Sequence, residues 1–361
     1  MKAWRMHGVD DVRLDEVPMP VLRPGWVLIK VRVFQVSVTE AMRIKGGAHY
    51  KTGVAQKMFS QGIPVQMGHE FCGEVVEVTE GVETVRVGDK VSASGYVACG
   101  ECSECKAGRR GKCLATQMTG VEVPGAFAEY FALPDYVLAK LPDDISWNEG
   151  ATIQPLSAAF DAVKGAELQM NDTIVVIGLG NMGLGCMQIA RVSGAGLTIG
   201  IDIRQESLDL AKKLGADTVV DATKTDPVKK VKELTGGVGP DVVFEVAGGS
   251  PEEGLSGVTT LNQALNMVMY QGKVIEIANL PGLIELDSTI PKGKRIKIIF
   301  PLGGSRESQS AAARLVVSKR VQIAPMISHV LQGIEKFPEA LDITANKAKY
   351  KATNPAQVIV S

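Results

Sequence analysis

Four cysteines, Cys99, Cys102, Cys105 and Cys113, stand in the pattern C-x2-C-x2-C-x7-C within a stretch punctuated by Gly100, Gly108 and Gly111. Thiolates this close cannot all pair as disulfides without strain, whereas four sulfurs at about 2.3 Å satisfy a tetrahedral zinc and leave no open position for a substrate. The spacing predicts a structural metal lobe over 99–113; the blander alternative is a set of surface thiols. A second run with chemistry in it is Gly178-Leu179-Gly180-Asn181-Met182-Gly183, a G-x-G-x-x-G that follows an apolar strand-like segment and opens a helical one. Gly178 permits the tight turn, Gly180 lets backbone approach a pyrophosphate, and Gly183 lets the helix pack close. The first N–H groups of that helix, around Asn181 and Met182, then face the phosphates. Asp202 closes the next strand-like segment, where a carboxylate accepts both adenosine-ribose hydroxyls and repels a 2′-phosphate, so the expected cofactor is NAD. Arg204, two residues on, would meet a phosphate in the alternative of dual NAD and NADP use.

These groups call for two kinds of scaffold. Up to about residue 155 the chain alternates in short β-rich segments, such as 27–33, 71–78 and 90–94, broken by Pro24-Gly25, Gly81 and Gly88-Asp89. A small barrel or sandwich follows from that pattern. From about 172, strand, glycine turn and helix alternate, with strands expected at 173–177, 197–201, 218–220, 241–246, 273–278 and 295–300 and helices at 181–193 and 206–214. That is the pattern of an α/β doubly wound parallel sheet. Beyond about 301 the alternation stops; a helix at 308–318 and a strand at 357–360 are expected to fold back onto the first domain.

Composition narrows the partners. The chain has 361 residues, 45% hydrophobic and 22% charged, enough for two domains with separate cores. Its 39 basic and 40 acidic residues leave a net charge of −1, so no field favours nucleic acid, an anionic membrane or a strongly charged partner. A small-molecule substrate with local recognition is the remaining class. Residues 1–12 read as neither signal nor transit peptide, no apolar run reaches bilayer-spanning length, and Cys72 and Cys186 sit in apolar contexts. A cytoplasmic location is the expectation from these features.

The quartet, the glycine fingerprint and Gly68-His69-Glu70 together resemble the zinc-containing medium-chain alcohol and polyol dehydrogenases, over essentially the whole chain. The ending Asn354-Pro355-Ala356-Gln357-Val358-Ile359-Val360 is similar to that family's closing strand. The resemblance implies a GroES-like β-barrel catalytic domain formed by 1–156 and 301–361, a Rossmann domain over 157–300, and an active site in the cleft between them. It implies further that Val246, Ala247 and Ile277 skirt the nicotinamide ribose, and that a homodimer or homotetramer forms through an edge strand of the Rossmann sheet within 273–286.

Against that pattern the reacting centre departs. Relatives hold a catalytic zinc by a cysteine in a G-x-C-x-[ST]-[DE]-like turn, by the histidine of G-H-E, and by a cysteine or acidic residue before the interdomain helix. Here the turn reads Gln35-Val36-Ser37-Val38-Thr39-Glu40, and the third position is Gln154 in Ala151-Thr152-Ile153-Gln154-Pro155-Leu156. An unionised serine and an amide do not neutralise a divalent zinc as a thiolate and a carboxylate do. His69, Glu70 and Gln154, with Ser37 and water, are the candidate ligands of a weak catalytic metal; the alternative is a hydrogen-bonded His69 and Glu70 at a strand end. Thr39 takes the place of the family's hydroxyl relay, and His69 can donate to or accept from the reacting oxygen. Met42 stands where many relatives carry the histidine that finishes the relay, with His49 as a substitute; Met58 and Phe59 are candidates for the pocket wall. Lys292, Lys294, Arg295 and Lys297 form a basic cluster that is either solvated or turned to an anionic substrate such as a CoA ester. Three activities fit: NAD-linked oxidation of a secondary alcohol, polyol or cyclic hydroxy compound; NAD(P)H reduction of a conjugated C=C or C=N bond without catalytic zinc; and dinucleotide binding without turnover.

Overall fold

The computed structural model describes residues 1–47, 54–248, 256–280, 283–301 and 303–360. The first half is organised on strand Trp26–Gln35, whose β-branched and aromatic residues are buried on both faces. One edge of it pairs antiparallel with Glu70–Val78. The other edge is shared, its first part by Tyr130–Pro134 and its last three residues by Gln357–Ile359. Register shifts between Leu28 and Ile29 and between Val31 and Val33 bend the strand, as bulges do, toward closure of a barrel-like sheet. The returning C-terminal segment is fastened by an aromatic cluster. Phe127 lies 4.7 Å from Phe34 and 4.9 Å from Phe337, ring centre to ring centre, and Trp4 lies 5.0 Å from Phe337 while its indole N–H donates to Ile334 O. The fold-back expected beyond 301 therefore occurs, with residues more than three hundred positions apart in one core.

The second half is a six-stranded, wholly parallel sheet in the order Thr218–Asp221, Leu197–Asp202, Thr173–Ile177, Val242–Glu245, Lys273–Glu276, Lys297–Ile299. Its chain order reverses between Thr173–Ile177 and Val242–Glu245, and ligands of such sheets bind at the carboxyl ends of the strands that flank this point. Expected and observed strands differ by one or two residues at their ends. The largest change is at 295–300. Thr289–Lys294 is helical, Arg295 closes it in a left-handed conformation, and the strand shrinks to Lys297–Ile299.

One expectation is corrected here. Lys273–Glu276 is flanked on both sides, so it is not an edge available for pairing between subunits; the edges of the sheet are Lys297–Ile299 and Thr218–Asp221. Of the basic cluster, Lys292, Arg295 and Lys297 are exposed, which fits the solvated alternative, and two of its members make local contacts. Lys294 Nζ donates to Leu265 O, Asn266 O and Val268 O, capping helix Thr259–Met267, and the Arg295 guanidinium lies 5.8 Å over the Tyr270 ring. The two halves are joined by a continuous helix, Ile153–Ala166, that runs through 156/157, where the domain boundary was expected. Among the described residues no helix is long and apolar enough to cross a membrane.

Candidate active site

The cleft chemistry starts from a helix cap. Ser37, Val38, Thr39 and Glu40 form an S-x-x-E capping box at the start of helix Val38–Ile44: Glu40 N donates to Ser37 Oγ at 3.1 Å, and Ser37 N donates to Glu40 Oε2 at 3.1 Å. The cap consumes Ser37 and aims Glu40 inward, where Oε1 lies 2.9 Å from His69 Nδ1. Nδ1–H thus donates to a fully buried carboxylate, and Nε2 is left for another partner. Burial would lower the His69 imidazole, but the Glu40 charge and hydrogen bond, with a lesser contribution from Glu70, outweigh it and hold the imidazole above its ordinary value. Burial likewise opposes ionisation of Glu40, yet His69 and the Ser37 N–H keep it below the usual carboxylate range.

Glu70 faces elsewhere. It is the register partner of Gln35, and Gln35 Nε2 donates to Glu70 Oε2 at 2.5 Å. Gln35 Oε1 in turn accepts from Gln357 Nε2 at 3.1 Å, so three adjacent strands place Gln357, Gln35 and Glu70 in one buried row. Burial pushes Glu70 up to about 7, opposed by His69 and by the Gln35 bond. Gln154, on the first turn of Ile153–Ala166, approaches His69 across Gly95. A Cβ placed on Gly95 would sit 3.7 Å from His69 Cδ2 and 3.9 Å from Gln154 Nε2. Both are ordinary contact distances, so His69 and Gln154 flank the same spot over the bare glycine.

Sequence reasoning missed Glu40, Gln35, Gly95 and Arg43. The first was legible as the fourth residue of the capping box; the others depend on strand register and on loop placement. The Arg43 guanidinium is 7% exposed, and Met118 Sδ at 3.7 Å is its hydrogen-bond partner among the described residues. Burial lowers its pKa, while Glu40, Glu122 and Tyr96 act in the opposite sense. Thr39 is half-buried on the same helical turn as Glu40, and Met42 follows on the next. His49 lies outside the described residues. Met58 and Phe59 pack against the barrel core, and Met58 lines an outer groove of about 550 Å³ with Met19, Val21 and Ile63.

A second metal does not fit this donor set. Ser37 Oγ is spent on the helix cap, Glu70 on Gln35, and Gln154 brings a neutral amide. Among the described residues no trio of His, Cys, Asp or Glu other than the cysteine quartet brings its donor atoms within 4.8 Å of one another. The quartet itself fits a tetrahedral ion. All four sulfurs lie within 4.8 Å, none is in a disulfide, and backbone N–H groups of Cys99, Cys102 and Ala115 point at sulfurs at 3.2 to 3.4 Å. Such N–H bonds, from Leu114 and Cys105, pull Cys102 down to about 6, whereas burial and the neighbouring thiols push Cys105 up to about 12, a cost that a divalent ion at the centre removes.

The glycine turn fits a dinucleotide. Gly178 has φ +93°, and a Cβ on Gly183 would lie 1.8 Å from Gly178 O, so neither position tolerates a side chain. Gly180 faces open space, and no side chain caps helix Asn181–Val192, so the N–H groups of Asn181, Met182 and Gly183 remain free for phosphate oxygens. Asp202 accepts from Leu179 N at 2.8 Å and from the N–H groups of Ile203 and Arg204, which fixes its carboxylate beside the glycine turn. Arg204 stays beside Asp202, its Nε 3.9 Å from Asp202 Oδ1, while its guanidinium donates to Ala352 O at 2.7 Å, Ser207 Oγ at 2.7 Å and Thr353 O at 3.4 Å. Val246 N donates to Ile177 O, and Ala247 packs on Gly178, while Ile277 is half-buried beside them at the end of the next strand.

The comparisons agree with this geometry. Residues 23–143 match the family described as alcohol dehydrogenase GroES-like domain, and residues 182–318 match the zinc-binding dehydrogenase family. The chain is 33% identical to L-threonine 3-dehydrogenase of Pyrococcus furiosus, over 95% of this chain and 94% of that one. It is 31% identical to sorbitol dehydrogenase of Bacillus subtilis, over 81% and 78%. The solved alcohol dehydrogenase from Thermus sp. ATN1 superposes with a TM-score of 0.84 at 28% identity, covering 100% of both chains. With a GroES-like barrel, a Rossmann sheet and relatives of this kind, the chain belongs to the zinc-containing medium-chain alcohol and polyol dehydrogenase family, a group of oxidoreductases acting on CH–OH.

Proposed function

We propose that the chain oxidises a secondary alcohol or polyol to the ketone, reversibly, with NAD as hydride acceptor. The observation that carries this reading is the Glu40–His69 pair, which leaves His69 Nε2 directed away from its carboxylate and beside the spot over Gly95. Bound NAD supplies the acceptor for the hydride. His69 Nε2 takes the hydroxyl proton as the C–H hydride departs, and returns it in the reverse direction. Glu40 holds the ring in the tautomer with hydrogen on Nδ1, and Thr39 offers a hydroxyl on the same turn. Asp202 favours NAD by repelling a 2′-phosphate, and the bonds of Arg204 to Ala352, Ser207 and Thr353 support that reading by engaging the donors a phosphate would need. Zinc belongs to the quartet as a structural ion. Arg43 gives the neighbourhood of His69 a fixed positive charge, so carbinols carrying a carboxylate belong in the first substrate panel beside neutral polyols.

The test is NADH formation at 340 nm across polyols, secondary alcohols and hydroxy acids, repeated with NADP and with an Asp202→Ala variant. Substrate-dependent NADH formation is expected, with the variant shifting the NAD to NADP preference by about a hundredfold, equivalent to roughly 2.7 kcal/mol. Equal use of both cofactors by the wild type would sink the assignment of NAD. Turnover confined to conjugated carbonyl compounds would sink alcohol oxidation.

A further inference from the structure

Two carboxyls are buried side by side at the carboxyl ends of adjacent strands. Glu245 and Glu276 are register partners in the parallel sheet and are 0% and 4% exposed. Glu245 organises the turn that follows it. Its Oε1 accepts from Ala247 N at 2.9 Å and Gly248 N at 3.0 Å, and its backbone oxygen accepts from Ile277 N at 2.9 Å and Ala278 N at 3.2 Å. That turn is the far wall of the glycine fingerprint, because a Cβ built on Gly178 would lie 2.8 Å from Ala247 Cβ and 3.0 Å from Ala247 Cα.

Glu276 has no such duty. As carboxylates, both of its oxygens and Glu245 Oε2 lack any hydrogen-bond donor among the described residues. Two buried carboxylates in contact repel, and each orphaned oxygen carries an uncompensated desolvation cost. A single proton removes the repulsion and satisfies two of the three orphaned oxygens, since the protonated carboxyl of Glu276 donates to Glu245 Oε2 while Glu245 Oε1 keeps its two backbone donors, and the oxygen left over is a neutral carbonyl. Among the described residues no cation competes for this role: on helix Pro227–Leu234, which packs in the same core, Lys232 donates to Val238 O and Lys230 pairs with Glu233. Helix Thr259–Met267 and strand Thr173–Ile177, which share this core, carry no titratable group, and the Lys294 ammonium is spent on the helix cap. Lys292 and Lys297 are exposed, and Lys273 Nζ donates to Ala166 O and Glu167 O on the far end of its strand.

We propose that Glu276 is a positioning residue for the dinucleotide: one proton shared with Glu245 holds the 246–248 turn against Gly178, and loss of that proton releases the turn and weakens cofactor binding. The proposal rests on the dinucleotide reading of Gly178 to Gly183 given above. The titration agrees in sign. Burial first, and the Glu245 charge second, push Glu276 up to about 9, so the folded chain keeps a proton that the unfolded chain releases at ordinary carboxylate pH. Stability therefore falls as pH rises from the unfolded value toward about 9, and cofactor affinity is present below about 9 and lost above it.

The experiment measures the NADH dissociation constant, by energy transfer from protein to bound NADH, between pH 6.5 and 10.5 for wild type, Glu276→Gln and Glu276→Ala. Wild type is expected to bind evenly up to about pH 8 and to lose about tenfold in affinity by pH 10. Glu276→Gln, whose amide can donate to Glu245 without titrating, should hold its affinity across the range. Glu276→Ala should bind about tenfold more weakly at every pH. An alkaline loss of the same size in Glu276→Gln, or wild-type binding by Glu276→Ala, would overturn the proposal. Thermal midpoints of the cofactor-free proteins separate the two layers. The advantage of Glu276→Gln over wild type should widen as pH rises from 6 to 9. A constant difference refutes the shared proton whatever NADH does. A widening difference in a protein that binds no NADH at any pH refutes the cofactor reading, and with it the role of Glu276, while the proton itself stands.

Discussion

Replacement of His69 by alanine is expected to lower kcat/KM for the alcohol by about three orders of magnitude while NADH affinity stays within about twofold, the pattern of a lost general acid and base rather than a lost binding contact. The size follows from the surroundings. Ser37 closes a helix cap and Glu70 is engaged by Gln35, so neither is placed to take over the proton. Glu40→Gln should cost less, about 10- to 100-fold, because an amide oxygen can still accept from Nδ1–H while the charge that favours the protonated ring is gone. The check is steady-state kinetics of both variants together with NADH titrations. A His69→Ala enzyme within tenfold of wild type would remove His69 from the chemistry, and equal losses in both variants would mean that charge on Glu40, rather than Nε2, is what the reaction needs.

Cys102→Ser is expected to strip the zinc from the chain and to make the 99–113 lobe cleavable by trypsin at Lys106, Arg109, Arg110 or Lys112, with the cleavage rate rising about a hundredfold or more. Nothing else in the lobe is strong enough to hold it. Its helix Ser103–Lys106 is four residues long, far below what persists alone in water, the 3-10 turn Arg110–Lys112 has no buried residue, and Leu114 is 75% exposed. The anchors to the barrel are few: Tyr136 donates to Ala98 O at 3.1 Å, and Arg110 stacks 4.6 Å over the Tyr136 ring. At the base of the lobe Tyr96–Val97 pairs with Gln117–Met118, directly after Gly95. Activity should therefore fall with the metal, although no sulfur approaches the substrate. Elemental analysis decides the rest. One zinc per chain in wild type and in His69→Ala, and none in Cys102→Ser, is the expected count. A second zinc that disappears with His69 would return the cleft to metal catalysis.

The parts of this molecule that were legible in the sequence are those written in local periodicity. Strand Thr173–Ile177 and the glycine turn after it were placed to the residue because a fully apolar run meets a residue type that alone accepts φ +93°. The cysteine lobe was legible because its ligands lie within fifteen positions of one another. Register between strands far apart in sequence is a different matter. Glu276 lies unmarked inside the strand expected at 273–278, and its meaning appears once parallel pairing sets it against Glu245. Arg204 read as a phosphate contact because its partners, Ala352 and Thr353, lie 148 and 149 residues away. Ser37 read as a substituted metal ligand, although S-x-x-E is a capping signature visible in the same four letters. In that case the local signal was present and the family pattern drew attention away from it.

The buried row of Gln357, Gln35 and Glu70 has a consequence for synthesis. Its outer bond joins residues separated by 322 positions, so the row that holds the Glu70 carboxyl beside His69 is completed last. At about 5 to 20 residues per second, a ribosome needs roughly tens of seconds to travel from Gln35 to Gln357. Through that interval the last residues of strand Trp26–Gln35 present an unpaired edge, which invites pairing with other chains. A partly made copy therefore carries the quartet, the glycine turn and His69 and still has an open seam beside its active site. The nascent chain stays open to pairing with its neighbours along this edge until Gln357–Ile359 closes the sheet.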